Sequence, residues 1–454
     1  MDNKFLYPVT ERTFREYAKS IFTPIRRGEC VTTIWLPMSG RRKHNRFLTE
    51  NIQLFKSDLL RFDSYVFVYI EPLELTQESV LGYLRLMAKD LISALNKKEG
   101  GKEALKDENL GIFDSSSSKY SELFEKLSGL LGNLIQKKWE IVFFIGEFDE
   151  LTFANRTFYN NLKSLWESLS PSFHYVFLMR ETVMNEKNQE SWGELSELIM
   201  QNIVYVPILA KGDIDYMIKR FKKEFGLRLG RLQIQEIREV CGGHPYLLRV
   251  AFRLLSKNAK RKIAKEGLKD FLFNNYELRW VARRIFDIRT PEEKQFLFKV
   301  VNLENFDESK YSEARTFLLE SGLVSLVNGK LKLFSEIFAR TVAGVEKTKL
   351  PRGDFNEEGV VGIDPVNGAI LFRGKTIEEK FTRQEYSLFS ELVRDRGKLV
   401  RRDTVGQVLW GKASYEKYSD WAIDQLMSKL RRKIKSLGID GNITTIKGVG
   451  YKFL

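Results

Sequence analysis

The stretch from Ser419 to Leu454 constrains the chain most, because a basic helical pattern there runs directly into a pair of short strands. Ile423, Leu426, Met427, Leu430 and Ile434 recur at helical spacing on one side, and Trp421, Gln425, Ser428, Lys429 and Arg432 fall on the other. Gly438 is placed to end that helix. Ile443 to Ile446 and Tyr451 to Leu454 then read as two strands around Lys447-Gly448-Val449-Gly450, a turn suited to the positive φ that glycine adopts freely. A helix with a cationic, hydrogen-bonding outer face, followed by a hairpin wing, fits a DNA major groove, where Arg, Lys and Gln reach base edges and phosphates.

The run Leu430-Arg431-Arg432-Lys433 and the wing Thr444 to Tyr451 resemble the winged-helix effector domain of OmpR/PhoB-type response regulators. The resemblance extends upstream to about Gly359 in the family's order. Short strands are expected within Val360 to Phe372 and Lys375 to Phe381, with a turn at Pro365 to Gly368. Thr382 and Glu385 form a capping-box pattern, Gly397 to Val400 matches a further strand, and Val408 to Gly411 precedes the loop before the basic helix. It implies that Gln425, Ser428, Lys429 and Arg432 face the major groove of double-stranded DNA, while Thr445 and Lys447 on the wing touch backbone or minor groove. Trp421 departs from the small or basic residue common at its place, and stacking, packing and altered specificity stay open for it.

At 454 residues the chain is too long for one ordinary core. A hydrophobic fraction of 43% supports globular folding throughout, and the net charge of +14 agrees with a polyanion partner without requiring one. Cys30 and Cys241 stand far apart, which supports neither a disulfide framework nor a zinc site. The N-terminus lacks a leader pattern, and the longest apolar runs are strand-sized. The expectation is a cytoplasmic protein that does not enter a membrane.

The first half alternates β-rich runs with helical patterns, which implies a three-layer α/β unit on a parallel sheet. Runs near 31–36, 65–70, 140–145, 173–179 and 203–206 are the strands. The loop after the first run resembles a degenerate P-loop of AAA+ and STAND ATPases. With Gly40 as the second glycine, Arg41 replaces the lysine and Arg42 the hydroxyl, so Gly40, Arg41, Arg42 and Lys43 keep the capacity to attract an anion at a helix N-terminus while magnesium chemistry is compromised. The third strand ends in Gly146-Glu147, where the family's metal-ordering Asp and catalytic Glu would stand. Arg180 occupies a sensor-like position, or an ordinary surface one. Cys241 to Leu248 resembles the GGHP turn of archaeal-type ATPases, in which His244 is either a nucleotide ligand or a helix cap.

These readings divide the chain into an ATPase-like domain at 1–210, a helical lid at 211–275, a winged-helix-like module at 276–345, a linker at 346–358 and the OmpR/PhoB-type domain at 359–454. The family implies ATP or ADP as the cofactor in question, with no firm case for magnesium. Two functional readings follow. One is a DNA-binding transcriptional regulator controlled by a hydrolysis-deficient sensory or assembly region that forms homo-oligomers or receives a nucleotide or protein signal. The other is an active STAND-type ATPase switch, with Glu147 as catalytic acid, whose DNA domain is a passive address.

Overall fold

The computed structural model describes residues 8–58, 62–75, 78–113, 119–180, 183, 186–257, 267–304, 306–347, 361–363, 370–372, 375–376, 381–410, 420–439, 441–446 and 449–453. The linker from 348 onward, the turn at Pro365 to Gly368, Gly411, Lys447 and the Trp421 side chain lie outside them. The chain forms two compact units, Met1–Thr341 and Val342–Leu454.

In the first unit, β1 (Val31–Trp35), β2 (Tyr65–Ile70), β3 (Glu140–Ile145), β4 (Phe173–Met179) and β5 (Ile203–Val206) make one parallel sheet in the order β2-β3-β4-β1-β5. Alternation along the strands separates its two faces. Val142, Phe144, Val176 and Leu178 pack with Phe14, Phe22 and Ile25 of the helix Glu11–Ile25. On the opposite face Tyr175 donates to the carbonyl of Leu162, in the helix Arg156–Leu169, and Phe177 stacks near Phe148. The sheet is thus the buried middle layer that the near-continuous apolar runs predict. The helix after β1 spans Arg41–Glu50 and is followed by 3₁₀ turns over Ile52–Asp58.

Beyond β5 lie the helices Lys211–Glu224, Arg231–Cys241 and Pro245–Ser256, in the segment expected as a lid. The helices Tyr276–Asp287, Pro291–Val301 and Ser312–Glu320 follow, with a hairpin of β6 (Val324–Val327) and β7 (Lys330–Leu333). Thr290 and Glu293 cap the middle helix reciprocally, as their spacing predicts. The next helix, Glu336–Lys347, crosses the place where the division into units falls.

The second unit carries a leading antiparallel sheet of β8 (Val361–Ile363), β9 (Ile370–Phe372) and β10 (Lys375–Thr376). The helices Arg383–Arg394, Arg402–Trp410 and Asp420–Ser436 follow. A second sheet has β11 (Val400–Arg401) and β12 (Ile443–Ile446) on either side of β13 (Gly450–Phe453). Thr382 and Glu385 form the expected capping box. The core joins Leu388, Phe389 and Leu392 to Ile423, Met427, Leu430 and Ile434 of the basic helix and to Tyr451 and Phe453 of the wing.

Gly450 is the point on which this second sheet closes. A Cβ there would stand 2.2 Å from the carbonyl oxygen of Val400, because β11 passes directly over it. Replacing Gly450 with Ala should therefore destabilise the second unit by about 1–3 kcal/mol, the ordinary range for forced overpacking. Chemical denaturation monitored within this unit checks it; an unchanged midpoint would show that β11 can withdraw without loss.

Candidate nucleic-acid interface

The basic helix Asp420–Ser436 presents two chemically distinct sides. Ile423, Met427, Leu430 and Ile434 are buried, Leu426 is half-buried, and Gln425, Ser428, Lys429 and Arg432 are exposed. Those four exposed side chains carry no hydrogen bond or ion pair among the described residues. They are the groups that the sequence places toward DNA, and the helix brings all four onto one open face.

Their neighbours behave differently. Arg431 donates from Nε to the carbonyl of Ile443 at 2.7 Å and from Nη2 to the Thr445 hydroxyl at 2.6 Å. Thr445, expected to face nucleic acid, thus already accepts a hydrogen bond from the helix. Asp424 accepts from Arg402 at 2.7 Å and from the Tyr451 hydroxyl. The Tyr451 hydroxyl bond, supported by Arg402, holds the Asp424 carboxyl below its usual range against the opposing effect of burial. Lys433 pairs with Glu385 of the capping box. The sequence reading missed these docking roles, because a charged residue in a basic helix gives no sign of which way it turns.

In the first unit, the residues of the degenerate loop converge on one another. Gly40 takes φ 101° and opens the helix Arg41–Glu50. The Arg41 guanidinium, 6% exposed, reaches Glu147 at 2.5 Å and the carbonyl of Leu178 at 3.2 Å. Arg42 pairs with Glu71 at 2.7 Å and with Glu147 at 3.1 Å. Arg180 pairs with Glu147 at 3.1 Å and with Glu150, while its backbone N–H donates to Asp149. Three guanidinium groups are thereby matched by the carboxylates of Glu71, Glu147 and Glu150. Burial alone would raise the Glu147 carboxyl, but Arg41, then Arg180 and Arg42, outweigh it and hold the group down at about 2. Glu147 also sits at φ 50° and ψ 34°, a left-handed conformation that costs a non-glycine residue about 1–2 kcal/mol.

This arrangement does not fit a magnesium nucleotide. The cation at the lysine place is engaged by Glu147, and Glu147 itself is held by three arginines. The place of the metal-ordering Asp is held by a glycine in a tight setting: a Cβ on Gly146 would lie 3.1 Å from the carbonyl of Ile70 and 3.4 Å from the Tyr69 hydroxyl. Lys43 stands apart from the cluster; partial burial, and then Arg220 and Arg249, draw its ammonium below the usual range.

His244 resolves as a cap and a tether. Its Nδ1 accepts from the N–H of Leu247 at 3.4 Å, and its Nε2 lies 2.9 Å from the carbonyl of Pro37 in the loop after β1. Fully buried, it is pushed down to about 4 by burial, with the Pro37 contact opposing. The two preceding glycines are required by close approach. A Cβ on Gly242 would meet the carbonyl of Phe334 at 2.3 Å, and one on Gly243 that of Leu209 at 2.2 Å. Glu71 and Arg289 were not foreseen; Arg289 is buried and donates to the carbonyl of Arg180 at 3.2 Å.

Acid should unfold the first unit in a defined order. His44 and His244 are both held neutral at about 4, against about 6.5 in an unfolded chain, so the unfolded state binds more protons and stability falls as pH drops from about 6.5 toward 4. Glu147, depressed to about 2 from about 4.3, contributes stability that is complete above about 4.3 and lost on further acidification. Urea midpoints measured at pH 7.5, 5.5 and 4.0 should decline at each step; a flat series would contradict the burial of the histidines. At pH 7, Glu147→Gln should cost roughly 3–5 kcal/mol, the loss expected when one partner of a buried ion pair is removed.

The model for the C-terminal domain of transcriptional regulatory proteins matches residues 377–453. Over 97 residues the chain is 34% identical to the virulence transcriptional regulatory protein PhoP of Salmonella typhi, covering 21% of this chain and 42% of that one. Over 116 residues it is 29% identical to the response regulator ArlR of Staphylococcus haemolyticus, covering 26% and 50%. The chain therefore spans half or less of the length of these curated relatives. Among solved structures, the Walker-type ATPase PABY2304 of Pyrococcus abyssi aligns with 75% of this chain and 97% of its own at 16% identity and a TM-score of 0.43, a likeness too low to carry an argument. Among the described residues no helix is long and apolar enough to cross a membrane. Residues 377–453, basic helix and wing included, thus match the C-terminal domain of transcriptional regulatory proteins, as the resemblance to OmpR/PhoB-type effectors predicts.

Proposed function

We propose that this chain is a transcriptional regulator that binds duplex DNA through its second unit, and that the first unit is a non-hydrolysing sensory or assembly platform working in the cytoplasm. The exposed face formed by Gln425, Ser428, Lys429 and Arg432 carries the DNA reading. Packed by its other side against the wing sheet, this helix can enter a major groove with its cations free for phosphates and base edges and its amide and hydroxyl free for hydrogen bonds. The hydrolysis-deficient reading is supported by the Arg41, Arg42 and Arg180 guanidinium groups all meeting Glu147. A protein signal or a second copy of the chain is the favoured input, because neither has to displace that cluster.

Duplex binding should weaken as salt rises, with log K falling by about 0.9 per log unit of salt for each phosphate neutralised. If Lys429 and Arg432 each neutralise a phosphate, changing both to Ala should flatten that slope by about 1.8 as well as lower affinity. Unchanged affinity and slope in the double variant would remove the helix from the interface. In the same preparation, magnesium and ATP should give no turnover. Turnover that Glu147→Gln abolishes would restore the ATPase-switch reading.

A further inference from the structure

The run Leu430-Arg431-Arg432-Lys433 reads as continuous positive charge, yet the structure separates its arginines. Arg432 is exposed and unpaired among the described residues, whereas Arg431 lies half-buried against the wing. The Arg431 guanidinium makes two bonds to one strand, to the Ile443 carbonyl at 2.7 Å and the Thr445 hydroxyl at 2.6 Å. These acceptors stand at the first and third residues of β12, so the planar fork spans the strand where β12 leaves the helix side of the domain. Two helical turns earlier, Asp424 takes hydrogen bonds from Arg402 and Tyr451, which tie the same helix to the start of the neighbouring helix and to β13. The basic helix is therefore fastened to both strands of the wing hairpin by side chains that a composition-based reading would assign to nucleic acid.

We propose that Arg431 is a positioning residue that contacts no DNA: its guanidinium fork locks β12 to the recognition helix, so that helix and wing meet the duplex at a fixed separation. This rests on the DNA-binding reading above. Two groove-facing elements held as one body lose less freedom on binding than two that move independently. The fork geometry matters more than the charge, which separates this role from a phosphate contact.

The test uses the full-length chain as wild type, Arg431→Lys, Arg431→Gln, Thr445→Val and the Arg431→Lys/Thr445→Val double variant. The probe is a duplex enriched from a random-sequence pool by the wild-type protein. Amide hydrogen exchange across Ile443 to Ile446 is read without DNA, and affinity and salt slope are read with it. Expected is faster exchange of β12 in every variant. Arg431→Lys should weaken duplex binding by about tenfold despite its retained charge, the equivalent of one lost hydrogen bond to a charged group. Thr445→Val should weaken it in the same direction, and the double variant should bind no worse than Arg431→Lys alone, because the two changes remove one shared bond.

Wild-type affinity in Arg431→Lys, combined with a salt slope flatter by about 0.9 in Arg431→Gln, would make Arg431 a phosphate contact and overturn the proposal. Additive losses in the double variant would overturn it too, by showing that Thr445 meets DNA on its own. Unchanged exchange in Arg431→Gln would show that no clamp exists, whatever happens to binding. Faster β12 exchange in the variants, with no duplex retained from the pool by the wild-type protein, would instead defeat the DNA-binding reading itself, and with it the positioning role, leaving a structural brace.

Discussion

A carboxylate removed from water must find positive charge, and Glu147 finds it from two directions at once. Arg41 and Arg42 arrive from the first turn of the helix after β1, and Arg180 from the residue after β4, while Glu147 itself follows β3. In the sheet order β2-β3-β4-β1-β5 these strand ends lie side by side, so one ion cluster joins the C-terminal edge of the sheet's centre. The attraction of three guanidinium groups exceeds the desolvation that would otherwise neutralise Glu147. It also holds that residue in a left-handed backbone conformation that it would not adopt alone. The edge of the sheet at which a P-loop fold would receive phosphates is here bonded to itself.

The two units thus use arginine in opposite ways. In the first, cations at the loop are turned inward onto carboxylates, and their charge is matched before any ligand arrives. In the second, Lys429 and Arg432 remain outward while Arg431 and Lys433 are turned to the wing and to Glu385. Positive charge counted along the sequence says nothing about this division, which depends on whether an acceptor lies within reach once the strands have paired. A net charge of +14 is compatible with either use.

What could be read from the sequence follows from how local each signal is. The basic helix, the wing, the capping boxes at Thr290 and Thr382 and the glycines of the GGHP turn depend on spacing within a few residues, and the structure places them as their spacing predicts. The strands were legible as apolar runs, though not their order. The arginine partners of Glu147 lie more than thirty residues from it in either direction, and no periodicity announces them. Arg431 fails for a subtler reason: its partners are only twelve and fourteen residues away, but a hairpin must fold back before they meet. His244 carried both a capping and a ligand reading in the sequence; the structure shows the cap, and the approach of Pro37 from the loop after β1 was not legible.

That approach bears on how the first unit can be regulated. In a nucleotide switch the lid gains contacts when ligand binds, and a ligand can shift a conformation only by the difference in its affinity for the two states. Here the lid is already held by protein atoms. Asp213 accepts from the N–H and hydroxyl of Thr10 and from the hydroxyl of Thr13, the N–H of Leu209 donates to Gly243, and His244 reaches Pro37. The Asp213 and His244 bonds run from the helices after β5 to the loop after β1 and to the start of the helix Glu11–Ile25, so any movement of those helices has to break them. A signal that moves this unit has to offset the free energy of those bonds through its own preference for the moved state.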